Sequence, residues 1–243
     1  MNAGPGFLDS LTATSVLHAT WVTIWISLAS QGIAVVIGLV LGPMRGSRIW
    51  PARALSGFYV WFFRGSPELM QIIAWYAILP LLGVNLTLIE AGLLGLSINE
   101  GARMCEIVRA ALSSVDQGQI DAARMLGMGR ITAFRLVILP QAAKLIIPPL
   151  GNQMNYMFKT SSLVSVIGIV ELLRNTELLT QTATKPLSVY LATCVIYLLI
   201  TTVWGLLQRL AEHLAGTTRT LGPAARGRGF SVARWFPLVG ENL

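Results

Sequence analysis

The chain has 243 residues, of which 54% are hydrophobic and only 12% are charged, so it is far more apolar than an ordinary soluble domain. This composition predicts a protein that crosses a membrane several times. The formal net charge of +7 does not indicate a nucleic-acid partner, because the Lys and Arg residues cluster beside hydrophobic segments, where membrane topology and anionic lipid headgroups explain them.

Hydrophobic segments predict about five membrane-spanning helices, since roughly 20 apolar residues cross the hydrocarbon core. In chain order the segments cover residues 22–44, 69–84, 91–112, 142–170 and 188–207. The last segment contains no charged residue. No Lys or Arg precedes the first segment, so we expect no cleavable signal peptide and a first span that stays in the membrane.

The distribution of basic residues predicts the orientation, because Lys and Arg that flank short loops tend to stay on the cytoplasmic side. They follow the first span, surround the connection between the third and fourth spans, and follow the last span: Arg45, Arg48 and Arg53; Arg124, Arg130, Arg135 and Lys144; Arg209, Arg219, Arg226, Arg228 and Arg234. The N-terminus is therefore expected outside and the C-terminus in the cytoplasm. A single membrane domain over residues 1–214 is expected to precede a flexible basic cytoplasmic tail, residues 215–243, which is rich in Gly, Pro and Arg.

Two features of the sequence before the second span predict a close helix contact and a helix at the membrane interface. Gly38 and Gly42 form a small-xxx-small spacing, which permits the close approach of another helix. The first part of residues 50–67 predicts a helix at the membrane interface that leads into the second span. Its aromatic belt consists of Trp50, Trp61, Phe62 and Phe63.

The third span carries charged residues, each of which costs about 2.5–3.5 kcal/mol near the centre of a membrane. Glu100, Arg103, Glu106 and Arg109 alternate in sign at three-residue intervals, which brings neighbours together on a helix. Asn99 lies beside them. Two interpretations stay open: the charges neutralise one another, or they take part in solute passage.

The fourth span contains Pro148 and Pro149, which interrupt backbone hydrogen bonding and predict a bend that exposes backbone acceptors to a cavity. Polar residues follow and give the span a polar side. They are Asn152, Gln153, Lys159, Thr160, Ser161 and Ser162. Cys105 and Cys194 both fall in hydrophobic spans, where we expect small buried side chains rather than a disulfide or metal ligands.

The segment over residues 121–140, DAARMLGMGRITAFRLVILP, is polar and contains turn residues although it lies between long hydrophobic spans. It predicts two short helices around a glycine corner, with Gly127 and Gly129 bracketing the break. Ser114 and Gln117 suggest a capping box ahead of the first helix, and Pro140 is expected to end the second. The paired Ala122 and Ala123 predict a flat face for docking; the alternative is an ordinary solvated loop.

This segment resembles the cytoplasmic coupling loop of ABC importer permeases in Asp121, Ala122, Ala123, Gly127, Val137, Leu139 and Pro140. FRGSPELMQ, residues 63–71, resembles a signature of the polar amino-acid permeases, which include histidine, glutamine and opine types. So does the run over residues 101–123, through Glu106, Arg109, Gly118 and Gln119. Arg103 departs from the family pattern, in which an aromatic residue is more usual, and Asp121 replaces the commoner glutamate. The resemblance covers about residues 20–207.

The resemblance implies an all-α membrane protein with the type I ABC importer permease fold. The implied function is that of a permease subunit in an ATP-driven importer of the bacterial inner membrane. Its solute is a polar amino acid or a related compound such as an opine, delivered by a solute-binding protein. The residues implied in coupling to the ATPase are Gln119, Asp121, Ala122, Ala123, Gly127, Leu139 and Pro140. Those assigned to the substrate pathway are Asn99, Glu100, Arg103, Gln153, Thr160 and Ser161.

The same resemblance implies partners. No phosphate-binding loop of the form G-x-x-x-x-G-K-[ST] occurs in the sequence, so ATP and Mg²⁺ are expected to be used by a separate ATP-binding subunit, and this chain is expected to be non-catalytic and to bind no cofactor or metal. A second permease subunit, identical or homologous, is expected to complete the pathway, in contact with membrane lipid.

The polar residues of the third and fourth spans allow two alternative functions and one inference about the substrate. Glu100, Arg103 and Glu106 can be interpreted as an ion-linked relay of an autonomous secondary transporter, or the chain as a membrane scaffold. In related importers the equivalents of Gln153 and Thr160 can be acidic, whereas both are neutral here. Together with Arg103, this weighs against a strongly cationic substrate.

Overall fold

The computed structural model describes residues 14–181, 183 and 185–216, and within that part of the chain all regular structure is helical. The predicted tail beyond residue 216 lies outside the described residues. The helices are α1 (Thr14–Arg45), α2 (Trp50–Gly65), α3 (Glu68–Ile78, continued by a 3₁₀ turn, Leu79–Leu82), α4 (Leu88–Ser113), α5 (Gln117–Met125), α6 (Arg130–Ala133, followed by a π turn, Phe134–Ile138), α7 (Leu139–Thr160, followed by a 3₁₀ segment, Ser161–Ile167), α8 (Leu172–Thr180) and α9 (Pro186–Leu214).

Three helical stretches are long and apolar enough to cross a membrane: Thr14–Arg45, Arg130–Ile167 and Pro186–Leu214. Two more helices complete the predicted set of about five spans. Glu68–Leu82 is apolar but short. α4 has 26 residues, which is long enough, but it carries the charged residues of the third predicted span. α4 begins at a capping box in which Glu90 N–H donates to Thr87 Oγ1 and Thr87 N–H donates to Glu90 Oε2.

α1 and α4 pack in close contact through the predicted small-residue spacing. A Cβ on Gly38 would stand 2.6 Å from Met104 Cβ, and one on Gly42 would stand 2.7 Å from Val108 Cβ. Such distances leave no room for a side chain, so glycine is required where these helix surfaces meet. The prediction of close packing at these two positions is confirmed.

The apolar core lies where four helices converge. Ile26 of α1, Ile72 of α3, Leu96 of α4 and Met157 of α7 form one buried cluster with Val164 of the following 3₁₀ segment. This cluster fixes α3, α4 and α7 relative to one another, and the charged groups described below lie on these same three helices.

The fourth span differs from its prediction at its start. Pro140 does not end a helix, because the chain is helical from Arg130 through the π turn into α7, and Pro140 lies in the first turn of α7. In the π turn Leu139 N–H donates to Phe134 O, five residues earlier in the chain. This shifted hydrogen bond directly precedes Pro140, which has no N–H to donate. α7 also continues through Pro148 and Pro149. The bend at that pair stays a prediction.

Two further predictions concern α2 and the cysteines. α2 is a separate helix that ends before the Ser66–Pro67 break, and it exposes Trp50 and Trp61, while its place at the membrane interface stays a prediction. Cys105 is buried as expected. Cys194 is not, because it lies on the exposed side of the apolar helix α9.

Candidate functional site

Arg103, near the middle of α4, is the centre of a charged cluster. Its Nη1 lies 3.0 Å from Glu100 Oε2 on the same helix, and its Nη2 lies 3.2 Å from Glu68 Oε2 in the first turn of α3. The Glu100 side chain is wholly buried, and that of Glu68 is 9% exposed. One guanidinium therefore holds two carboxylates that belong to different helices.

Tyr156 joins α7 to this cluster. Its hydroxyl donates to Glu68 Oε2 at 3.0 Å and accepts from Arg103 Nη2 at 3.2 Å. The Arg103 Cζ atom lies 4.4 Å from the centre of the Tyr156 ring, a cation–π distance. The three helices α3, α4 and α7 thus meet at Arg103 through polar contacts.

A second charged group lies about one turn further along α4. Glu106 accepts from Arg109 Nη2 at 2.8 Å and from Arg45 Nε, at the end of α1, at 3.1 Å. The ladder predicted from three-residue spacing therefore forms only in part. The Glu100–Arg103 and Glu106–Arg109 pairs exist, but Arg103 turns to Glu68 and not to Glu106, because the neighbouring helix offers a second carboxylate.

A polar cavity of about 350 Å³ lies between these two groups. It is lined by Arg64, Arg103, Glu106, Ile107, Arg109, Ala110 and Gln153. Arg64 comes from the end of α2 and Gln153 from α7, so this space is bounded by three helices. It brings charged and amide side chains to one place where a polar solute can be held.

The connection between α4 and α7 forms a second candidate site. Gly127 has a φ of +75°, in the left-handed region that favours glycine. Its N–H donates to Arg124 O at 2.9 Å, and this bond closes the C-terminal end of α5. Gly129 is the residue that precedes α6. The predicted glycine corner is therefore confirmed.

The cap of α5 differs from its prediction. Asp116 Oδ1 accepts from Gly118 N–H at 2.7 Å and caps the helix. Ser114 cannot do so, because it is the residue that ends α4 and its hydroxyl donates to Ala111 O at 2.9 Å. The predicted Ser114–Gln117 capping box is wrong.

Most of α5 and its corner is exposed. Gln119, Asp121 and Ala122 are exposed, and so are the apolar side chains of Met125 and Leu126, at 89% and 76%. Asp121 is oriented by Arg124 Nη1 and Gln117 Nε2, each 3.1 Å from its Oδ1.

The two alanines of this segment do not form a single outward face. Ala123 is 3% exposed and faces its own chain, whereas Ala122 faces outward. Consecutive helical residues point about 100° apart, so the two methyl groups are directed differently. The predicted flat alanine face is wrong in this respect.

Residues 34–215 match the protein family described as "Binding-protein-dependent transport system inner membrane component". This chain belongs to that family. Among its relatives is the "Probable amino-acid permease protein YxeN" of Bacillus subtilis (strain 168), 34% identical over 202 residues that cover 82% of this chain and 90% of that protein. The "Octopine transport system permease protein OccQ" of Rhizobium radiobacter is 32% identical over 224 residues, which cover 87% of this chain and 92% of that protein.

One more relative and two solved structures are also similar to this chain. The "Arginine transport system permease protein ArgU" of Corynebacterium glutamicum is 35% identical over 229 residues, which cover 88% of this chain and 71% of that protein. A solved structure described as "Crystal structure of an amino acid ABC transporter with histidines" has a TM-score of 0.79 and 35% identity, and the match covers 85% of this chain and 97% of that one. The inward-facing MetNI methionine ABC transporter shares the fold, with a TM-score of 0.69 at 18% identity.

The predicted pathway residues of this inner membrane component fall into two sets. Arg103 and Gln153 line the polar cavity, and Glu100 lies behind Arg103. The other three are buried and do not line it. Asn99 Nδ2 donates to Phe63 O at 2.9 Å, Ser161 Oγ donates to Phe158 O at 2.9 Å, and Thr160 is 7% exposed.

Glu68, Arg64 and Tyr156 also belong to the site, although they are not among the residues predicted for it. A signal was present for Glu68, because it is an acidic residue at the start of an apolar helix. None marked Tyr156, which reaches Arg103 across 53 residues of sequence.

Proposed function

We propose that this inner membrane component is the permease subunit of an ATP-driven importer for a polar amino acid or a related compound such as an opine. Family membership over residues 34–215 supports the transport role. The names of its relatives, which refer to amino acids, arginine and octopine, support the substrate class. The autonomous secondary transporter gains no support from any of these relatives.

The polar cavity supports a solute path through this subunit. It is lined mainly by charged and amide side chains, on helices that otherwise pack through apolar cores. Charged groups inside a membrane protein commonly mark solute or ion pathways. We assign the path to the side of α4 that carries Arg103, opposite Gln153 of α7.

The single observation that carries the coupling role is the exposure of α5 and its corner. The surface formed by Gln119, Asp121, Ala122, Met125, Leu126 and Gly127, called the coupling surface below, leaves two large apolar side chains uncovered beside an oriented carboxylate. Such a mixed patch is typical of a docking site for another protein. Leu139 and Pro140, the other two residues assigned to ATPase coupling, are also exposed and lie at the start of α7. Ala123 supports the coupling surface from behind.

The proposal requires partners. A separate ATP-binding subunit docks on the coupling surface and hydrolyses ATP with Mg²⁺, because the sequence contains no phosphate-binding loop. A second permease subunit, identical or homologous, completes the pathway, and an external solute-binding protein delivers the solute. The N-terminus lies outside and the C-terminus in the cytoplasm, as the basic residues after α1 and α9 indicate.

Co-purification with a double variant tests the coupling surface. Replacing Met125 and Leu126 by serine removes two exposed apolar contacts, and we expect the affinity for the ATP-binding subunit to fall about tenfold or more. Leu214→Ser is the matched control. Leu214 is an equally exposed leucine, at 77%, but it lies at the end of α9 and does not belong to the coupling surface. Equal retention of the ATPase by both variants would remove the coupling surface from the proposal.

A further inference from the structure

The wall of the polar cavity carries more positive than negative charge. Its charged lining residues are three arginines and one glutamate: Arg64, Arg103, Arg109 and Glu106. A guanidinium group matches a carboxylate in both charge and geometry. Because a cleft whose charge has mainly one sign attracts solutes of the opposite sign, this wall favours a solute with an anionic group.

Behind the wall, the charges that contact it form two groups of opposite sign. Glu68 and Glu100 share the guanidinium of Arg103, so this group has a formal charge of −1. The other group has two guanidiniums on one carboxylate and a formal charge of +1. Its members are Arg45, Arg109 and Glu106. The two groups cancel, so the excess charge at the cavity is that of the remaining arginine, Arg64.

Arg64 and Arg109 also have free hydrogen-bond donors. The Arg64 side chain is exposed and, within the described part of the chain, forms no hydrogen bond or ion pair, so all five of its N–H donors are available. Glu106 occupies Nε and Nη2 of Arg109 and leaves its Nη1 unused. Gln153 adds a side-chain amide that likewise has no partner among the described residues. These donors come from three helices and share one cavity.

The volume of the cavity suits a small solute. At about 350 Å³ it lies at the lower end of the range of small-molecule sites, roughly 300–1,000 Å³. Arg64 lies in the last turn of α2, and Arg109 lies on α4. A carboxylate between them therefore has a donor on each of two helices, and charge-assisted hydrogen bonds of this kind are the strong ones.

We propose that Arg64 and Arg109 bind a carboxylate of the transported solute, beside the Gln153 amide, and that this solute carries a carboxylate in addition to that of the amino-acid backbone. The proposal rests on the proposed function and narrows its substrate class. A zwitterion brings one carboxylate and one ammonium and leaves the excess charge of Arg64 in place, whereas a second carboxylate neutralises it. The transported compound is thus an acidic amino acid or a derivative with a second carboxylate.

The proposal points in the same direction as the sequence, which weighs against a strongly cationic substrate, but it rests on a different residue. In the sequence the positive charge was assigned to Arg103. In the structure two carboxylates hold Arg103, and the uncompensated charge belongs to Arg64. Arg64 therefore determines the preference for an anionic solute, and Arg103 serves to join three helices.

Equilibrium binding to the purified complex, without the solute-binding protein, tests the proposal. The probes are labelled glutamate and glutamine, which have nearly the same shape but differ in that the side-chain amide of glutamine is uncharged. We expect glutamate to bind about tenfold or more tightly than glutamine, and Arg64→Gln to bring the ratio close to one by weakening glutamate alone. Arg64→Lys keeps the charge and should retain part of the preference. Equal binding of the two probes to the unaltered complex, or no binding of either, would overturn the site.

Two further variants separate an anion site from a purely structural role. Glu106→Gln removes the carboxylate that Arg109 and Arg45 share, so an anion site predicts a larger glutamate-to-glutamine ratio, whereas a structural role predicts that both affinities fall together. Arg174→Gln is the control. Its guanidinium pairs with Glu177 at 2.9 Å on α8, away from the cavity lining, and the ratio should not change.

A lipid phosphate offers arginine the same chemistry as a solute carboxylate, so the lipid is varied as well. The ratio is measured in nanodiscs of phosphatidylcholine and again with phosphatidylglycerol added. We expect the glutamate preference in both. Its loss in the anionic lipid would assign Arg64 to a lipid headgroup and overturn the solute site.

The failures of the two proposals are distinguishable. ATP-dependent uptake of neutral or basic amino acids, with no preference for glutamate in the binding assay, would overturn the anion site and leave the importer in place. Absence of uptake for every amino acid and opine tested, in the complete complex with its solute-binding protein, would overturn the proposed function itself.

Discussion

Gly38 of α1 lies so close to Met104 of α4 that a methyl group at position 38 would stand 2.6 Å from Met104 Cβ and 2.8 Å from its carbonyl carbon. The same two helices also meet where Arg45, at the end of α1, contacts Glu106 of α4 at 3.1 Å. This interface holds α4, and with it Arg103, in a fixed position. Its integrity is therefore a condition for the polar cavity.

Gly38→Ala should destabilise the protein by about 1–3 kcal/mol, because the added methyl group meets a backbone atom that cannot move aside. Gly32→Ala on the same helix is the matched control, since nothing lies within 4 Å of a Cβ there. Thermal unfolding of the two variants in detergent measures the difference. Equal unfolding temperatures would show that α1 and α4 do not pack as described.

Asp116→Ala should loosen α5 by about 1 kcal/mol, the usual effect of losing a helix N-cap. The lost bond is that from Gly118 N–H to Asp116 Oδ1. Hydrogen exchange of the amides in the first turn of α5 should become faster. Ser114→Ala should leave α5 unchanged, since its hydroxyl bonds Ala111 O in α4; the opposite ranking would restore Ser114 as the cap.

Gly127→Pro should uncouple uptake from ATP hydrolysis while membrane insertion stays intact. Proline cannot adopt the φ of +75° at this position, and it lacks the N–H that donates to Arg124 O. We expect uptake per ATP hydrolysed to fall about tenfold or more in assembled complexes.

Gly129→Ala provides the comparison for that variant. Gly129 has a φ of −64° and nothing within 4 Å of a Cβ, so alanine fits there without strain. Its uptake should match that of the unaltered chain. Normal uptake by an assembled Gly127→Pro complex would argue against a coupling role for the corner.

The sequence predicts this fold well where one local rule decides the outcome. Long apolar runs locate the spans, the four-residue spacing of Gly38 and Gly42 locates a helix contact, and Gly127 locates the corner. It fails where two rules compete. Ser114 and Asp116 both suit an N-cap, and only the observed end of α4 assigns Ser114 to that helix. A proline usually ends a helix. Pro140 does not, because it lies in the first turn of α7, directly after a π turn.

The candidate site was predictable only in part, for a different reason. Spacing along one helix pairs Glu100 with Arg103, since these residues are neighbours in sequence. It contains no information on contacts between helices, so Glu68 and Tyr156 were not assigned to Arg103. The charge of the site depends on these distant contacts.

Uptake into proteoliposomes tests the importer function most directly. The chain would be reconstituted with its ATP-binding subunit and a solute-binding protein, and labelled amino acids and opines would be supplied outside with ATP inside. We expect accumulation that requires ATP, the ATP-binding subunit and the solute-binding protein together. Uptake by this chain alone, without ATP, would instead establish an autonomous transporter.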